Sequence, residues 1–333
     1  MSEDVILKVE GLKTYFYTEA GIVKAVDGIS FDVKNGESLG IVGESGSGKT
    51  VTSLSVLRIV PKPGRIVEGK IIYKDVNLLN KTEEDMRAIR GSELAIIFQD
   101  PNSSLNPVYT IETQLRDVLL AHQKLSREEC SKKILELLKL VGLPDPETRM
   151  REYPHQFSGG MKQRVAIARA LALQPKLLFA DEPTTALDVT IQAQVLDLLN
   201  DLKNKLGMTL VMITHDMGII AKITNRVLVL YAGQVCELAL TEDLFEAPRH
   251  PYTEALLAAV PRLDMRKNLR VIPGNIPNLI EPPTGCRFHP RCNYATERCK
   301  NEVPILEEIT QGHKVACWEA KSIKLRGENS GIQ

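Results

Sequence analysis

The sequence predicts an α/β protein that is interrupted by a mostly helical stretch and followed by a small, irregular, cysteine-rich extension. Short apolar or alternating runs, typical of strands, recur along most of the chain. One of them, Ser38–Val42, runs directly into a glycine-rich loop and a helix-like segment at 50–60. Between about 110 and 175, apolar residues recur at helical spacing instead. Proline becomes frequent after residue 247, which marks the start of the extension.

The periodicity gives each element in order. Strands are expected at 5–9, 26–33, 38–42, 70–76, 94–98, 177–180, 209–213, 227–231 and 234–238. Helices are expected at 50–60, 126–141, 161–173 and 189–205. Ser126 followed by Glu129 is typical of a capping box at a helix start. We therefore expect a main domain at 1–246, with a helical subdomain at about 102–172, and an extension at 247–333.

Charge and hydropathy exclude several classes of protein. The 333 residues include 42 Lys and Arg and 42 Asp and Glu, so the net charge is zero. This balance argues against a strongly basic nucleic-acid binder and against an acidic disordered tail. No apolar run has the length of a membrane-spanning helix, and the first ten residues are acidic where a signal peptide is basic. We expect a soluble, cytosolic protein.

Residues 43–50, GESGSGKT, fit the phosphate-loop pattern G-x-x-x-x-G-K-[ST]. Such a loop turns its backbone N–H groups inward as an anion nest, and the following helix adds its dipole. Lys49 is expected to meet the β- and γ-phosphates of ATP, and Thr50 to bind Mg²⁺. The residues predicted to bind the nucleotide here are Gly43, Glu44, Ser45, Gly46, Ser47, Gly48, Lys49 and Thr50. The plain alternative is a glycine-rich turn with a chance Lys-Thr pair.

A second candidate motif is LLFADE at 177–182, a buried strand that ends in two acids. Strand ends of this kind deliver carboxylates to the edge of an α/β sheet where ligands bind. Asp181 is suited to hold Mg²⁺ through water, and Glu182 to polarise an attacking water. Without the phosphate loop, two ordinary strand-end acids would be the better interpretation.

The run FSGGMKQR at 157–164 resembles the signature motif of ABC transporter ATPases. Other landmarks of that family follow in the expected order along nearly the whole chain. They are Gln99 in IFQDP, which resembles the Q-loop, Asp181-Glu182, the D-loop-like ALD ending at Asp188, and His215 in ITHD, which resembles the switch histidine. Phe16 lies where an aromatic ring stacks on adenine, with Tyr15 and Tyr17 as alternatives.

The resemblance implies a P-loop NTPase fold and ATP hydrolysis with Glu182 as general base. It implies that Gln99 contacts Mg²⁺ and the γ-phosphate, and that His215 contacts the γ-phosphate. Ser158, Gly159 and Gly160 would complete the site of a partner ATPase across a head-to-tail dimer, and Asp188 belongs to the nucleotide-binding set. Taken alone, 158–160 is better explained as a helix cap and His215 as a strand-end histidine.

The runs FQDPNSSLNPV at 98–108 and HPYT at 250–253, with the cysteine-rich tail, resemble the peptide-importer ATPases. That subfamily implies di- or oligopeptide uptake, integral-membrane permease partners, a second related ATPase in a heterodimer, and an extracytoplasmic binding protein acting indirectly. It places the chain peripherally on the cytoplasmic face of the membrane. Nickel or sugar import is the alternative. A non-transport ABC ATPase acting on DNA or ribosomes is disfavoured by the single cassette and the absence of a basic stripe, so no nucleic-acid partner is expected.

Four of the six cysteines lie close together in the extension: Cys286, Cys292, Cys299 and Cys317. Disulfides are disfavoured in a reducing compartment. Zinc sites usually have closer C-x₂₋₄-C pairs, and the spacings match neither common ferredoxin pattern. Spacing therefore leaves zinc, an iron–sulfur cluster and free thiols open. The resemblance to the importer tail implies a structural [4Fe–4S] cluster, with zinc, aided by His289 or His313, as the alternative. The isolated Cys130 and Cys236 are expected to be buried apolar residues.

Overall fold

A computed structural model describes residues 5–185, 187–259, 272 and 274–323 of the chain. The chain folds as two compact units. The first unit consists of Met1–Leu79 and Met212–Gln333, and the second of Asn80–Val211. The predicted helical subdomain at about 102–172 falls inside the second unit. The predicted boundary after residue 246 stays a prediction.

The strands, in chain order, are as follows: β1 (Val5–Thr18), β2 (Gly21–Lys34), β3 (Ser38–Val42), β4 (Gly64–Tyr73), β5 (Val76–Asn77), β6 (Leu94–Ile97), β7 (Leu177–Asp181), β8 (Thr209–Ile213), β9 (Arg226–Tyr231), β10 (Gln234–Leu240), β11 (Glu307–Thr310) and β12 (His313–Val315).

The α-helices are α1 (Lys49–Val56), α2 (Glu83–Ile89), α3 (Pro101–Ser104), α4 (Ile111–His122), α5 (Arg127–Leu140), α6 (Pro146–Arg149), α7 (Gly159–Leu171), α8 (Val189–Leu206), α9 (Met217–Ile223), α10 (Thr241–Glu246), α11 (Pro251–Ala258) and α12 (Glu297–Asn301). Short 3₁₀ turns cover Leu78–Asn80, Pro154–Gln156 and His289–Arg291.

The first unit contains two sheets. One is antiparallel, in the order β2-β1-β4-β5, and β1 pairs along most of its length with both β2 and β4. In the other, β3 runs parallel to β9, and β9, β10, β12 and β11 follow as antiparallel neighbours. All five residues of β3 and all six of β9 are buried, because β3 lies inside the core and carries apolar side chains on both faces.

Within the first unit, a buried polar cluster around Glu237 joins the last strands, β11 and β12, to the rest of the unit. Its side chain is 0% exposed on β10 and accepts hydrogen bonds from the N–H groups of Arg249 and His250 at 2.7 and 3.0 Å. Nε2 of His313 on β12 lies 2.7 Å from the same carboxylate. Since a buried carboxylate is costly without partners, the C-terminal strands are part of this core and not an appendage to it.

The second unit carries the parallel pair β6 and β7, in which Leu94 faces Leu177. The helices α4, α5 and α7 pack against one another in this unit, which also contains α2, α3, α6 and α8. The predicted capping box is confirmed, since Ser126 accepts from the N–H of Glu129 while the Glu129 side chain accepts from the N–H of Ser126. Cys130, on the inner face of α5, is buried as expected.

Each predicted element is present, and its type is correct except at Lys74 and Asp75, where a turn separates β4 from β5 inside the strand predicted at 70–76. The strands at 38–42 and 209–213 have the predicted bounds, whereas the first two strands are much longer than predicted. The elements that were not individually predicted are the helices α2, α3, α4, α6, α9, α10, α11 and α12 and the strands β11 and β12. Within the part of the chain that the structure covers, no helix combines the length and apolar character that a membrane crossing requires.

Candidate nucleotide-binding site

The glycine-rich loop in the first unit joins β3 to α1 and has no room for a side chain at two of its glycines, Gly43 and Gly48. Gly43, Gly46 and Gly48 have φ angles of 154°, 81° and 102°, which other residues rarely adopt. A Cβ atom on Gly43 would lie 2.2 Å from the carbonyl oxygen of Leu230, and one on Gly48 would lie 2.5 Å from that of Ala25. The loop shape therefore depends on glycine at these two positions.

Lys49 and Ser47 hold polar groups inside this loop. The Lys49 side chain is buried, and its Nζ donates to the carbonyl oxygens of Gly43 at 2.7 Å and Glu44 at 3.0 Å. The Ser47 hydroxyl is also buried, and it has no hydrogen-bond partner among the residues described. A buried cation, a hydroxyl with unused capacity and the first turn of α1 suit an anionic, phosphate-bearing ligand.

The loop is supported by neighbours in the first unit that the sequence analysis did not single out. The N–H of Gly233 donates to the carbonyl oxygen of Ser47 at 2.9 Å, and the N–H of Glu44 donates to the hydroxyl of Tyr252 at 2.8 Å. The Glu44 carboxylate pairs with Arg291 from the extension. Tyr252 stands in the HPYT run that carried the family resemblance, but no local pattern pointed to its contact with the loop.

His215 also belongs to the first unit and is exposed just beyond β8. The preceding residue, Thr214, donates its N–H to the carbonyl oxygen of Ile41, near the end of β3. The following residue, Asp216, caps α9 by accepting from the N–H of Gly218 at 2.7 Å. The histidine is thus held between a strand end and a helix start, at the end of β3 from which the phosphate loop begins.

In the second unit, the structure brings together Gln99 and Glu182, which the sequence predicted as parts of two separate motifs. Asp181 is the last residue of β7 and is buried. Glu182 follows in the left-handed region with φ of 45°, an unfavourable conformation for a residue with a side chain. Its Oε2 accepts from Gln99 Nε2 at 3.0 Å and from the Thr185 hydroxyl at 2.9 Å. These contacts fix the orientation of the predicted general base.

The signature-like run and the D-loop-like run lie at the starts of two helices in the second unit. Ser158 caps α7 by accepting from the N–H of Met161, and Asp188 caps α8 by accepting from the N–H of Ile191 at 3.0 Å. A Cβ on Gly160 would lie 2.7 Å from Ile191 Cγ2, so α7 begins directly against α8. Both side chains therefore serve as helix caps in this structure.

The three candidate aromatic residues on β1 differ in their surroundings. The Tyr15 hydroxyl donates to Asp27 at 2.5 Å, which directs this ring into the first unit. Tyr17 is 44% exposed, and the guanidinium of Arg65 lies over its ring at 5.6 Å from the centroid. Phe16 is half-buried and lies on the opposite face of the strand.

The fold of the extension brings its four cysteines to one place in the first unit. Cys286, Cys292, Cys299 and Cys317 all line one small cavity with a volume of about 10 Å³. Burial, together with the charges of the other three thiols, raises the pKa of Cys317 to about 12. Burial is also the main reason why the pKa of Cys292 is raised to about 11.

This cavity does not provide a formed metal site. Among the residues that the structure covers, no three or more His, Cys, Asp or Glu side chains are grouped so that they could hold a metal ion. A volume near 10 Å³ is about the room that one water molecule needs. His313, one of the alternative zinc ligands, points instead at Glu237. The four cysteines of the predicted metal-binding extension therefore lie around one cavity, but a metal site there is not shown.

The strand, glycine-rich loop and helix around Lys49 define a P-loop protein that binds nucleoside phosphates. The ABC transporter family model matches residues 26–185, and the family described as "Oligopeptide/dipeptide transporter, C-terminal region" matches residues 236–299. The latter match includes Cys286, Cys292 and Cys299 and ends before Cys317.

Among curated proteins, the chain is 50% identical over 323 residues to a probable peptide ABC transporter ATP-binding protein of Sinorhizobium fredii, with 96% of each chain covered. It is 47% identical to the dipeptide transport ATP-binding protein DppD of Escherichia coli, over 94% of this chain and 96% of that protein. It is 46% identical to the oligopeptide transport ATP-binding protein OppD of Bacillus subtilis, over 94% and 88% respectively.

Solved structures of ATP-binding cassettes share the fold of this chain. The ATP-binding cassette MJ0796, in a dimeric post-hydrolysis state with ADP and Pi, matches with a TM-score of 0.63 and 29% identity, over 71% of this chain and 98% of that chain. The chain belongs to the ATP-binding subunits of ABC transporters, with the C-terminal region of the oligopeptide/dipeptide transporter type. The predicted α/β P-loop ABC ATPase fold and ATPase activity are thereby confirmed.

The glycines of the loop provide a matched test of its geometry. Gly46→Ala places a side chain at positive φ with nothing within 4 Å, whereas Gly48→Ala also drives its Cβ against the Ala25 carbonyl oxygen. We expect Gly46→Ala to lower the free energy of unfolding by about 1–2 kcal/mol and Gly48→Ala to lower it clearly more. Urea unfolding of the two variants measures the difference, and equal losses would contradict the predicted backbone clash.

Proposed function

We propose that this chain is the ATP-hydrolysing subunit of an importer for dipeptides or oligopeptides. The observation that supports this most is the match of residues 236–299 to the oligopeptide/dipeptide transporter C-terminal region, which separates this chain from ABC ATPases in general. The names of the relatives, which are dipeptide and oligopeptide transport ATP-binding proteins, point the same way. Import of nickel or sugars is the alternative within the same class.

At the nucleotide, we assign the polyphosphate to Gly43, Glu44, Ser45, Gly46, Ser47, Gly48, Lys49 and Thr50. The buried Lys49 and the Ser47 hydroxyl support this assignment, as does the start of α1. We assign Mg²⁺ to Thr50, Gln99 and Asp181, and adenine to Phe16. Mg²⁺ supplies neutralisation of the phosphate charge during phosphoryl transfer. The hydrogen bond that occupies Tyr15 favours Phe16 or Tyr17 as the ring that stacks on adenine.

In the reaction, Glu182 accepts a proton from the attacking water. Gln99 and Thr185 both donate to Oε2 of Glu182 and so orient its carboxylate for that role. His215 contacts the γ-phosphate and reports its presence. Phosphoryl transfer depends mainly on position and charge, so these residues act by geometry more than by covalent chemistry.

The transport step needs other chains. Ser158, Gly159 and Gly160 are assigned to the ATP site of a second, related ATPase, which closes against this chain head to tail when ATP binds, and Asp188 is assigned to the nucleotide-binding set. At the start of α7, Gly159 is exposed and Gly160 is partly exposed, which is compatible with that role. Permease subunits in the membrane receive the motion near Gln99, and an extracytoplasmic binding protein selects the cargo. This arrangement puts the chain on the cytoplasmic face of the membrane.

The general base is tested by Glu182→Gln. We expect turnover to fall by at least about 100-fold, because the amide cannot take the proton, while ATP binding is retained. Steady-state phosphate release and equilibrium binding of MgATP are the measurements. Glu147→Gln, on the surface of the same unit, is the control and should leave both unchanged. Retained turnover in the Glu182 variant would make the assignment of the base wrong.

The cargo is tested in the assembled transporter. When the chain is purified with its permease and binding protein and placed in vesicles, a short peptide should raise ATP hydrolysis several-fold, because hydrolysis that is coupled to transport depends on the supply of cargo. Nickel ions and sugars are the matched alternative ligands in the same assay. Stimulation by either of them, with none by peptides, would replace the peptide assignment and leave the ATPase assignment intact.

We also propose that Cys286, Cys292, Cys299 and Cys317 hold a [4Fe–4S] cluster, with zinc as the alternative. The support is the meeting of four thiols at one cavity. A cluster there would add to the contacts that already join these segments, such as the hydrogen bond from the N–H of Cys286 to the carbonyl oxygen of Cys299 at 2.8 Å. Because the thiols lose protons on binding iron, loading would release protons and draw the four sulfur atoms into place.

Metal analysis of anaerobically purified protein tests this cluster. We expect about four irons per chain with broad visible absorbance, and loss of both in Cys299→Ser. Cys130→Ser, which changes a buried cysteine in the second unit, is the control and should keep the iron. Stoichiometric zinc in a colourless protein would favour the alternative, and the absence of both metals would show that the four thiols are free.

A further inference from the structure

Arg291, in the extension, reaches the phosphate-binding loop of the same unit. Its side chain is 5% exposed, and its guanidinium forms a two-pronged ion pair with Glu44, at 2.7 Å to Oε2 and 3.1 Å to Oε1. We propose that Arg291 is a positioning residue for the phosphate loop, through which the C-terminal extension sets the affinity for ATP. This inference rests on the assignment of ATP to residues 43–50.

Arg291 is itself held rigidly, so it can fix the position of Glu44. Its guanidinium also donates to the Tyr231 hydroxyl and to the carbonyl oxygen of Ile272, each at 3.3 Å, and lies 5.7 Å from the centroid of the Tyr231 ring. A planar guanidinium with partners on several sides has few other conformations to adopt. The ion pair therefore joins the loop to β9 and the extension at the same time.

Glu44 is held at three of its polar groups. Its carboxylate binds Arg291, its N–H donates to Tyr252, and its carbonyl oxygen accepts from Lys49. Tyr252 is fully buried, and its ring contacts those of Tyr231 at 4.6 Å and Phe288 at 5.3 Å between centroids. The N–H of Glu44 is thus bound by Tyr252, so α11 and the extension determine where Glu44 lies.

The charge of Glu44 explains why its partner matters for an anionic ligand. A carboxylate beside a phosphate-binding loop repels the phosphates, and the repulsion is strong where water is partly excluded. Arg291 cancels that charge in a pair whose arginine is almost completely buried. Without the arginine, Glu44 would present an unpaired negative charge next to Lys49, and the two could bind each other in place of the phosphates.

A second arginine of the extension approaches the other side of the loop. Arg287 forms an ion pair with Asp27 and donates to the carbonyl oxygen of Ala232. The N–H of Asp27 donates to Gly233 O at 2.8 Å, and Gly233 in turn donates to Ser47 O at 2.9 Å. Each of the two arginines directly neighbours a cysteine of the proposed cluster in the chain, so the extension contacts the loop from two sides.

The test measures equilibrium binding of MgATP to the full-length chain in four forms: wild type, Arg291→Ala, Glu44→Gln and the double variant. We expect Arg291→Ala to weaken binding roughly tenfold because it leaves the carboxylate unpaired. Adding Glu44→Gln to that variant should tighten binding several-fold, since it removes the unpaired charge, whereas Glu44→Gln in the wild type should give no such gain. Arg291→Lys, which keeps the charge but not the fork, should be intermediate.

Several controls separate this coupling from a general loss of structure. Lys300→Ala removes one exposed positive charge from the extension and should leave binding and iron content unchanged. Independent, additive losses in the double variant, or no loss in Arg291→Ala, would overturn the proposal. If Arg291→Ala fails to fold, the affinity of Arg291→Lys for MgATP is compared with that of the wild type, and equal affinities would overturn the proposal. Lys49→Ala tests the ATP site itself, because unchanged binding in that variant would refute the assignment of ATP to this loop.

Discussion

The close approach of two sheets to the phosphate-binding loop is the constraint on which the candidate nucleotide site of the first unit depends. Carbonyl oxygens of Leu230 and Ala25 approach Gly43 and Gly48 so closely that no side chain fits at either glycine. Those oxygens belong to β9 and β2, so the loop keeps its shape only while both sheets of the unit are in place. The shape of the loop in turn determines where its backbone N–H groups, Lys49 and Ser47 lie, and contacts within the loop, such as those of Lys49, add to the support from the sheets.

The groups assigned to chemistry are arranged differently in the two units. The first unit supplies the phosphate loop and His215 from a framework of sheets. The second supplies Asp181, Glu182 and Gln99 from the ends of two parallel strands, where Glu182 keeps a left-handed conformation and accepts two hydrogen bonds. Unfavourable backbone conformations persist where surrounding contacts fix them, and they occur often at functional sites. The strain at Glu182 is consistent with its assignment as the base.

The sequence predicted well what is local and poorly what is brought together by the fold. Apolar runs located β3 and β8 to the residue, and the Ser126 capping box was correct because both of its hydrogen bonds connect near neighbours. The contact of Gln99 with Glu182 spans 83 positions and that of Arg291 with Glu44 spans 247, so no periodicity or short motif could reveal either. The metal of the cysteine cluster also stayed open, because four thiols near one cavity suit more than one occupant.

The buried carboxylate of Glu237 has a consequence for the order in which the chain can fold. Its partners come from the start of α11 and from His313 on β12, the last strand of the described chain. On the ribosome, β1, β2 and β3 leave the exit tunnel long before β12, whereas Asn80–Val211 is synthesised as one continuous stretch. Domains fold as units during synthesis. The second unit can therefore fold before the final strand of the first unit has been synthesised, and the phosphate loop gains its ion pair with Arg291 only after most of the chain is made.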